Sequence, residues 1–522
     1  MKQSSLLIPD SHATLGTKGE DPSQSFLVNA GFLSAFQEQQ YVFLPLAMRV
    51  IDNIKFIVTE ELEKLSAVEF QLPVQSSVLG EEYLTNFLSK EQNSSSVDIP
   101  IHLYQIQTAL VPTTDVKSPF LTNVESTFLD VFSFHNSQKS LQENYHQFEK
   151  MFERILNRCE LAFQSVLALD EKTEERDTKE LIALSDLGDE TFVVSTVGEY
   201  RAKLDIATRL VATKKSHATF LPLVHEVLPS EIDTTADNWL TYRLLRIGKQ
   251  PIIIFYKVKD RLNLTKVRQF LDGKVMEVRK ADTQKYFGQP LASLDFRRLP
   301  ENIWYFGDLE VENMTNANLL SPIEGTYYKN VNPLREFTDA KFADFVYVNE
   351  GDVAPDGTGE LVFKKGMKIG KLFQKRLLDN SISEGEKRFN IGHYQLDLSR
   401  LFLMIAHQHS HETGILWPME VAPFDVHLIP ENLGDTYQGQ LAEEVERILT
   451  DQEYEVLLDD RELTIDEKVR EADLIGCPIV ILIGKKAVEG IVELKIAATK
   501  ANIEVRKEEL MDTLEILLQT AE

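Results

Sequence analysis

The sequence predicts a multidomain chain of mixed α/β and α+β architecture, and three observations carry that expectation. Its 522 residues exceed what one hydrophobic core fills and correspond to roughly three or four ordinary domains. Residues 193–351 alternate short strands such as PIIIFYKV with short helical pieces, the texture of a separate α/β module. Beyond residue 420, strand-like and helix-like segments alternate regularly, which implies a parallel-dominated sheet with helices against it.

Taken in order, residues 26–70 read as helix, turn, helix. FLVNAGFLSAF is amphipathic, and LAMRVIDNIKFIVTEELEKLSA repeats apolar residues at helical spacing opposite a charged face. VEFQLPV follows as a short strand ending at Pro73, and residues 90–98 form a polar loop. IHLYQIQTALV and STFLDVFSFH read as two strands able to pair antiparallel around a turn near residues 113–115. LQENYHQFEKMFERILNRC is a helix, and EKTEERDTKE a charged, solvated connector. ELVFKKGMKIGKLFQ resumes strand alternation, and IGHYQLDLSRLFLMIAHQH runs from strand into helix. PFDVHLIP, YEVLLDD and PIVILIG are strands separated by the helices TYQGQLAEEVERILTD and TIDEKVREADLIG.

Composition narrows the class. Hydrophobic residues make up 43% and charged residues 26%, as in globular proteins of aqueous compartments. No apolar run approaches the roughly 18–20 residues that span a bilayer, and MKQSSLLIPDSH has no apolar signal core. A cytoplasmic protein with no membrane partner is expected. Cys159 and Cys477 lack paired spacing and read as reduced thiols. The 55 basic and 82 acidic residues leave a net charge of −27, which argues against a general nucleic-acid or DNA binder but leaves room for one basic patch on a single RNA.

GILWPMEVAPFDVHLIP (residues 414–430), YEVLLDDREL and EADLIGCPIVILIG resemble the anticodon-binding region of bacterial-type prolyl-tRNA synthetases. LIPD, NAGFLSAF, YVFLPLAMRV, HLYQIQT, VFSFH, LSDLGDET, EGDVAPDGTGELVFKKGMKIG and LFQ stand in the family's order, so the resemblance covers essentially the whole chain. It implies a class II aminoacyl-tRNA synthetase plan: a catalytic-type antiparallel-sheet domain (1–190 and 351–416), an inserted editing-like α/β domain (191–350) and a C-terminal α/β anticodon-binding-type domain (417–522). It also implies a homodimer through the family's first motif, here VIDNIKFIVTEELEKLSAVEFQLPV.

Forming an aminoacyl-adenylate requires guanidinium groups and magnesium against developing phosphate charge. The family's second motif supplies arginines on a hairpin. Here residues 104–135 hold one lysine, Lys117, and no arginine, against Asp115, Glu125 and Asp130. The resemblance places Val111 where an arginine would meet the α-phosphate, and Asp115, Thr122 and Val124 at further arginine positions. An ordinary strand–turn–strand hairpin accounts for the same residues. In the third motif Ser399 and Arg400 remain, but the glycine positions are Gln395 and Asp397; Arg400 either keeps a vestigial γ-phosphate role or pairs with Asp397 or Glu125. The proline pocket is altered as well. SSSVDIP replaces a longer amino-acid-reading loop, and EERDTKE replaces a glycine-rich segment of which Glu180 is retained. Lys371 stands for a histidine and His393 for the pocket cysteine. In the inserted module, the editing lysine falls near Tyr242, beside Arg243. LASLDF (291–296) replaces a glycine–proline loop, and Tyr327 a histidine.

Asp459, Asp460, Arg461 and Lys468 keep the spacing of the family's RNA-facing edge, where polar groups read unpaired bases. Thr464, Ile465 and Asp466 replace its arginine–proline–glycine turn, and helix capping explains the region equally well. His407, His409 and His411 cluster at a helix end without a supporting carboxylate or cysteine signature, so no metal is expected. Lys364, Lys365, Lys368, Lys371, Lys375 and Arg376 form the densest basic stretch, either a solvated strand pair or a phosphate-facing edge. The expectation is a noncatalytic synthetase-like protein that binds tRNA, a small ligand or a protein partner and needs no cofactor. The competitor is a divergent but active proline–tRNA ligase using ATP and magnesium.

Overall fold

The structure, a computed structural model, describes residues 1–8, 22–37, 40–72, 83–85, 87–88, 99–110, 125–169, 178–211, 219–229, 233–297, 300–375, 389–497 and 501–519. Val111, Asp115, Lys117, Thr122, Val124 and Arg376 lie outside them, as do Pro73, the 90–98 loop, the 113–115 turn and residues 171–177 of the connector. The chain forms two compact units. One comprises Met1–Ser165, Thr178–Asp189 and Gly366–Glu522, the other Val166–Asp177 and Glu190–Lys365.

In the first unit, the strands Ile101–Leu110 and Glu125–His135 pair antiparallel along their whole length, Ile101 opposite Phe134 and Leu110 opposite Glu125. Asn390–Asp397 adds antiparallel to Glu125–His135, then Leu361–Lys375, then Thr178–Leu184. Thr178, Lys179 and Glu180, assigned to the connector from sequence, are therefore strand. Three amphipathic helices, Pro45–Glu63, Gln138–Arg158 and Leu398–Gln408, share one core with this sheet. Leu46, Val50, Ile54, Ile57 and Leu62 of the first of them are fully or almost fully buried, the i, i+4 apolar stripe its sequence shows.

One expected helix is only partly a helix. Pro22–Asn29 is helical, but Leu33–Gln37 and Gln40–Phe43 form a small antiparallel hairpin. Gly31 has φ +76°, a conformation that costs glycine little, so the helical run stops there and LSAF continues as strand.

Residues beyond 420 form a separate five-stranded sheet in the order Val456–Leu458, Val426–Pro430, Ile479–Ile483, Ile491–Ile496, Ala501–Arg506. The first three strands are parallel as expected. The last two, which the sequence pattern did not disclose, are antiparallel. The start of the chain extends the opposite edge: Lys2 bridges Leu458 in parallel, and buried Gln3 meets His427 Nε2 at 2.8 Å.

The second unit is built on a mixed sheet ordered Val224–Val227, Thr326–Val331, Ala317–Leu320, Trp239–Ile247, Gln250–Lys257, Trp304–Asp308, Lys341–Ala343. Ile253 and Phe255 bury one face, Ile252 and Ile254 the other, as a strand apolar on both sides requires.

Candidate functional site

The cleft expected to hold a nucleotide lies where Asn390–Asp397 passes directly into the helix Leu398–Gln408. A helix N-terminus presents unpaired N–H groups and partial positive charge, a ready place for phosphate. Here the chain's own Asp397 takes that place. Its Oδ1 accepts the Arg400 amide at 2.9 Å and also the Ser126 hydroxyl. Arg400 Nε lies 3.4 Å from its other oxygen. Asp397 is buried, and burial pushes its pKa up against the opposing pull of Arg400 and the Ser126 hydrogen bond. Of the two partners foreseen for Arg400, Asp397 is the one it meets; Glu125 is exposed at the start of its strand and is not among Arg400's contacts. The guanidinium Nη1 donates to the Lys368 carbonyl at 3.1 Å.

Asp397→Ala is expected to cost about 1–2 kcal/mol, the usual loss on removing an N-cap. Asp397→Asn, which still accepts the amide, should recover most of it. Urea denaturation of the two variants checks this.

Gln395, at the other glycine position, is drawn into a buried network. Asp130, 1% exposed, accepts from Gln395 Nε2 at 2.8 Å, Gln107 Nε2 at 3.0 Å and His393 Nε2 at 3.2 Å. Burial alone would raise the Asp130 pKa; the bonds from His393, Gln107 and Gln395 outweigh it and hold the carboxylate below its ordinary value. The His393 ring stacks on Phe132, centroids 4.5 Å apart and planes 10° from parallel. These contacts correct the charge expectation for the hairpin: of its three carboxylates, Asp130 is internal and compensated, so it does not face a ligand. Glu180 is buried and ion-paired with Lys368 at 2.6 Å. Lys371 stands opposite both Glu180 and Gln395 in the sheet register, its ammonium 5.3 Å from the Phe373 ring centroid.

Phe128, Lys368, Gly370, Gln395, Asp397 and Arg400 line a cleft of about 180 Å³, smaller than the roughly 300–1,000 Å³ typical of ligand pockets. Ser126, Gln107 and Phe128 were not singled out from sequence, because only the fold brings them to Asp130 and Asp397. The donors in place do not fit a triphosphate: the helix N-terminus is capped by a carboxylate, and the described residues of the hairpin carry no arginine.

Tyr242, Tyr327, His407, His409 and His411 are not among the residues that line this cleft. Tyr242 packs edge-on against Phe296 at 4.8 Å, and burial pushes its hydroxyl up to about 12. Tyr327 donates to Glu226 at 2.9 Å. The three clustered histidines each bond elsewhere: His407 with Ser185 at 3.0 Å, His409 with the Glu160 carbonyl at 3.1 Å and His411 with the Gly414 carbonyl at 2.6 Å.

In the C-terminal domain two of the four proposed RNA-reading residues, Asp459 and Lys468, are internal, while Asp460 and Arg461 are half-buried. Asp459 is 0% and Lys468 1% exposed. Arg461 grips Asp459 through Nε at 3.0 Å and Nη2 at 2.7 Å, and also pairs with Glu471. Lys468 Nζ donates to the Pro430 carbonyl at 2.9 Å and the Asp459 carbonyl at 3.4 Å. Both Asp460 oxygens are taken by Ser4, its amide at 2.9 Å and its hydroxyl at 2.7 Å. Thr464 and Glu467 complete a capping box, so helix capping accounts for this edge. A buried ammonium on backbone carbonyls cannot meet an RNA phosphate. Lys468→Met should destabilise the protein by about 2–4 kcal/mol, because it leaves buried acceptors unpaired; chemical denaturation reads it directly.

Comparison with known proteins places these features. The anticodon binding domain family matches residues 425–516, a segment with 10 basic and 23 acidic residues, a difference of −13. The proline–tRNA ligase of Levilactobacillus brevis is 33% identical, the alignment covering 99% of this chain and 100% of that one. That of Ligilactobacillus salivarius is 30% identical over 99% of both chains. Among solved structures, prolyl-tRNA synthetase from Cryptosporidium parvum complexed with halofuginone and AMPPNP superposes with a TM-score of 0.52 at 11% identity, covering 96% of this chain and 75% of that one; that likeness shows the fold. The alignments with bacterial ligases run end to end, and on them this chain belongs to the bacterial-type prolyl-tRNA synthetase family.

Proposed function

We propose that this chain is a noncatalytic member of the family that works by binding. One observation carries the proposal: Asp397 seats its carboxylate on the helix N-terminus beside Arg400, where a polyphosphate would otherwise find its donors. A fixed anion there repels a second one, since two unit charges about 4 Å apart interact by several kcal/mol near a protein surface. No cofactor is required on this account. The bound partner is tRNA at the anticodon-type domain, a small ligand in the remodelled cleft, or another protein, and the setting is cytoplasmic. A homodimer belongs to the same account: Met48 is 40% and Phe56 65% exposed on the helix that carries the first motif, leaving apolar surface for a second copy.

A second account, an active but divergent proline–tRNA ligase, is favoured by the end-to-end identity of 30–33% with proteins of that name. Calorimetry with ATP and magnesium, alone and with proline, separates the two. No heat of binding in the micromolar range supports the first account; micromolar ATP binding sinks it.

A further inference from the structure

The second unit holds a larger cavity than the nucleotide cleft. It measures about 580 Å³, inside the range of small-ligand pockets. Its walls share no residue with the positions that the family resemblance assigns to editing, namely Tyr242, Tyr327 and residues 291–296. Phe306 is almost fully buried in the lining, while Trp304 is 49% and Phe270 42% exposed. Large aromatic faces left open in a concave wall are what ligand pockets show and what folding alone does not favour.

The charged part of the lining is Glu301, Asp339 and Lys341. Two carboxylates face one ammonium, so the site is net negative. Asp339 is held by the Tyr305 hydroxyl at 3.4 Å. Carboxylates beside open aromatic rings attract an ammonium by charge and by the negative faces of the rings, and the same charges repel phosphates.

We infer that this cavity binds an ammonium-bearing small molecule with an apolar or aromatic body. The body covers Trp304 and Phe270, and the cation meets Asp339 and Glu301. The site does not depend on whether the nucleotide cleft is active, so the two proposals fail separately.

The chain supplies its own reporter. Its other two tryptophans, Trp239 and Trp417, are 3% and 1% exposed, which leaves Trp304 as the solvent-sensitive fluorophore. Phenethylamine titrated into the full-length protein should shift tryptophan emission saturably, and calorimetry should give the same affinity. 3-Phenylpropionate, a similar body bearing the opposite charge, should bind at least about ten-fold more weakly. The double variant Glu301→Gln, Asp339→Asn should weaken phenethylamine about ten-fold while leaving the circular dichroism spectrum and melting temperature of the protein in place. Trp304→Phe should remove the emission change and keep the calorimetric signal. Equal affinity for amine and acid, an undiminished affinity in the double variant, or no saturable response by either method overturns the inference. So does a Trp304 response that follows protein concentration alone, which would make the wall a contact between copies.

Discussion

Proline-dependent exchange of pyrophosphate into ATP is expected to remain at background in the purified protein, about 10⁴-fold or more below a ligase relative assayed beside it. The magnitude follows from counting donors. Each preorganised group aimed at developing charge typically contributes about 10²–10³ in rate. The hairpin from Ile101 to His135 contains no arginine anywhere in its sequence, and the helix N-terminus at Leu398 is occupied by Asp397. Losing two such donors multiplies to about 10⁴, and a carboxylate in place of one of them adds repulsion. The Levilactobacillus brevis ligase, 33% identical, is a suitable control. Exchange within about a hundred-fold of that control would show that other groups have replaced the missing ones, and the noncatalytic account would be withdrawn.

The second large effect is a loss of stability in mild acid through two buried histidines. His135 and His427 are each 0% exposed. Burial, reinforced by nearby His102 for the first, lowers both to about 4. His135 Nδ1 meets the Ser140 hydroxyl at 2.9 Å, and His427 Nε2 meets Gln3. The remaining ring nitrogen of each has no hydrogen-bond partner among the described residues, so a proton added there would be buried without an acceptor. The folded pKa lies below the unfolded value near 6.5. The unfolded chain therefore takes up protons that the folded one refuses, and stability present above pH 6.5 is lost as pH falls towards 4. Between pH 7.5 and 5.0 each histidine should account for about 2 kcal/mol of that loss. Burial raises Asp397 and Asp425, whose contributions run the opposite way with pH, so the histidine effect is best read as a difference between proteins. The penalty of His135→Asn or His427→Gln, measured by urea denaturation against the parent, should shrink by about 2 kcal/mol at pH 5.0. A penalty independent of pH would show that these imidazoles do not titrate as their burial implies.

Much of the architecture could be read from periodicity. The Pro45–Glu63 stripe, the paired strands of the 101–135 hairpin and the βα alternation after residue 420 are local patterns, and they appear as expected. The misreadings have physical causes. FLVNAGFLSAF has helical spacing, but Gly31 in a left-handed conformation ends the helix and sends the next residues into a strand. Asp397 stands out in the sequence because a side chain where the family has glycine is visible in one dimension, and its role as a helix cap is visible only in the fold. Asp130 was counted as a charge facing the ligand, yet its three donors come from Gln107, His393 and Gln395 on neighbouring strands. Lys468 looked like a surface cation because lysine usually is one. Only the carbonyls of Pro430, 38 positions away, and Asp459, nine positions away, make its burial tolerable.

The contact between Gln3 and His427 joins residues 424 positions apart. At the usual pace of translation, about 5–20 residues per second, the opening segment waits roughly 20–80 s before the strand it lies beside leaves the ribosome. Until then Gln3 and its neighbours have no sheet edge to join, and His427 gains its buried partner only when these two distant stretches of the polypeptide meet. Closure of that edge therefore has to follow synthesis of the strands Val426–Pro430 and Val456–Leu458.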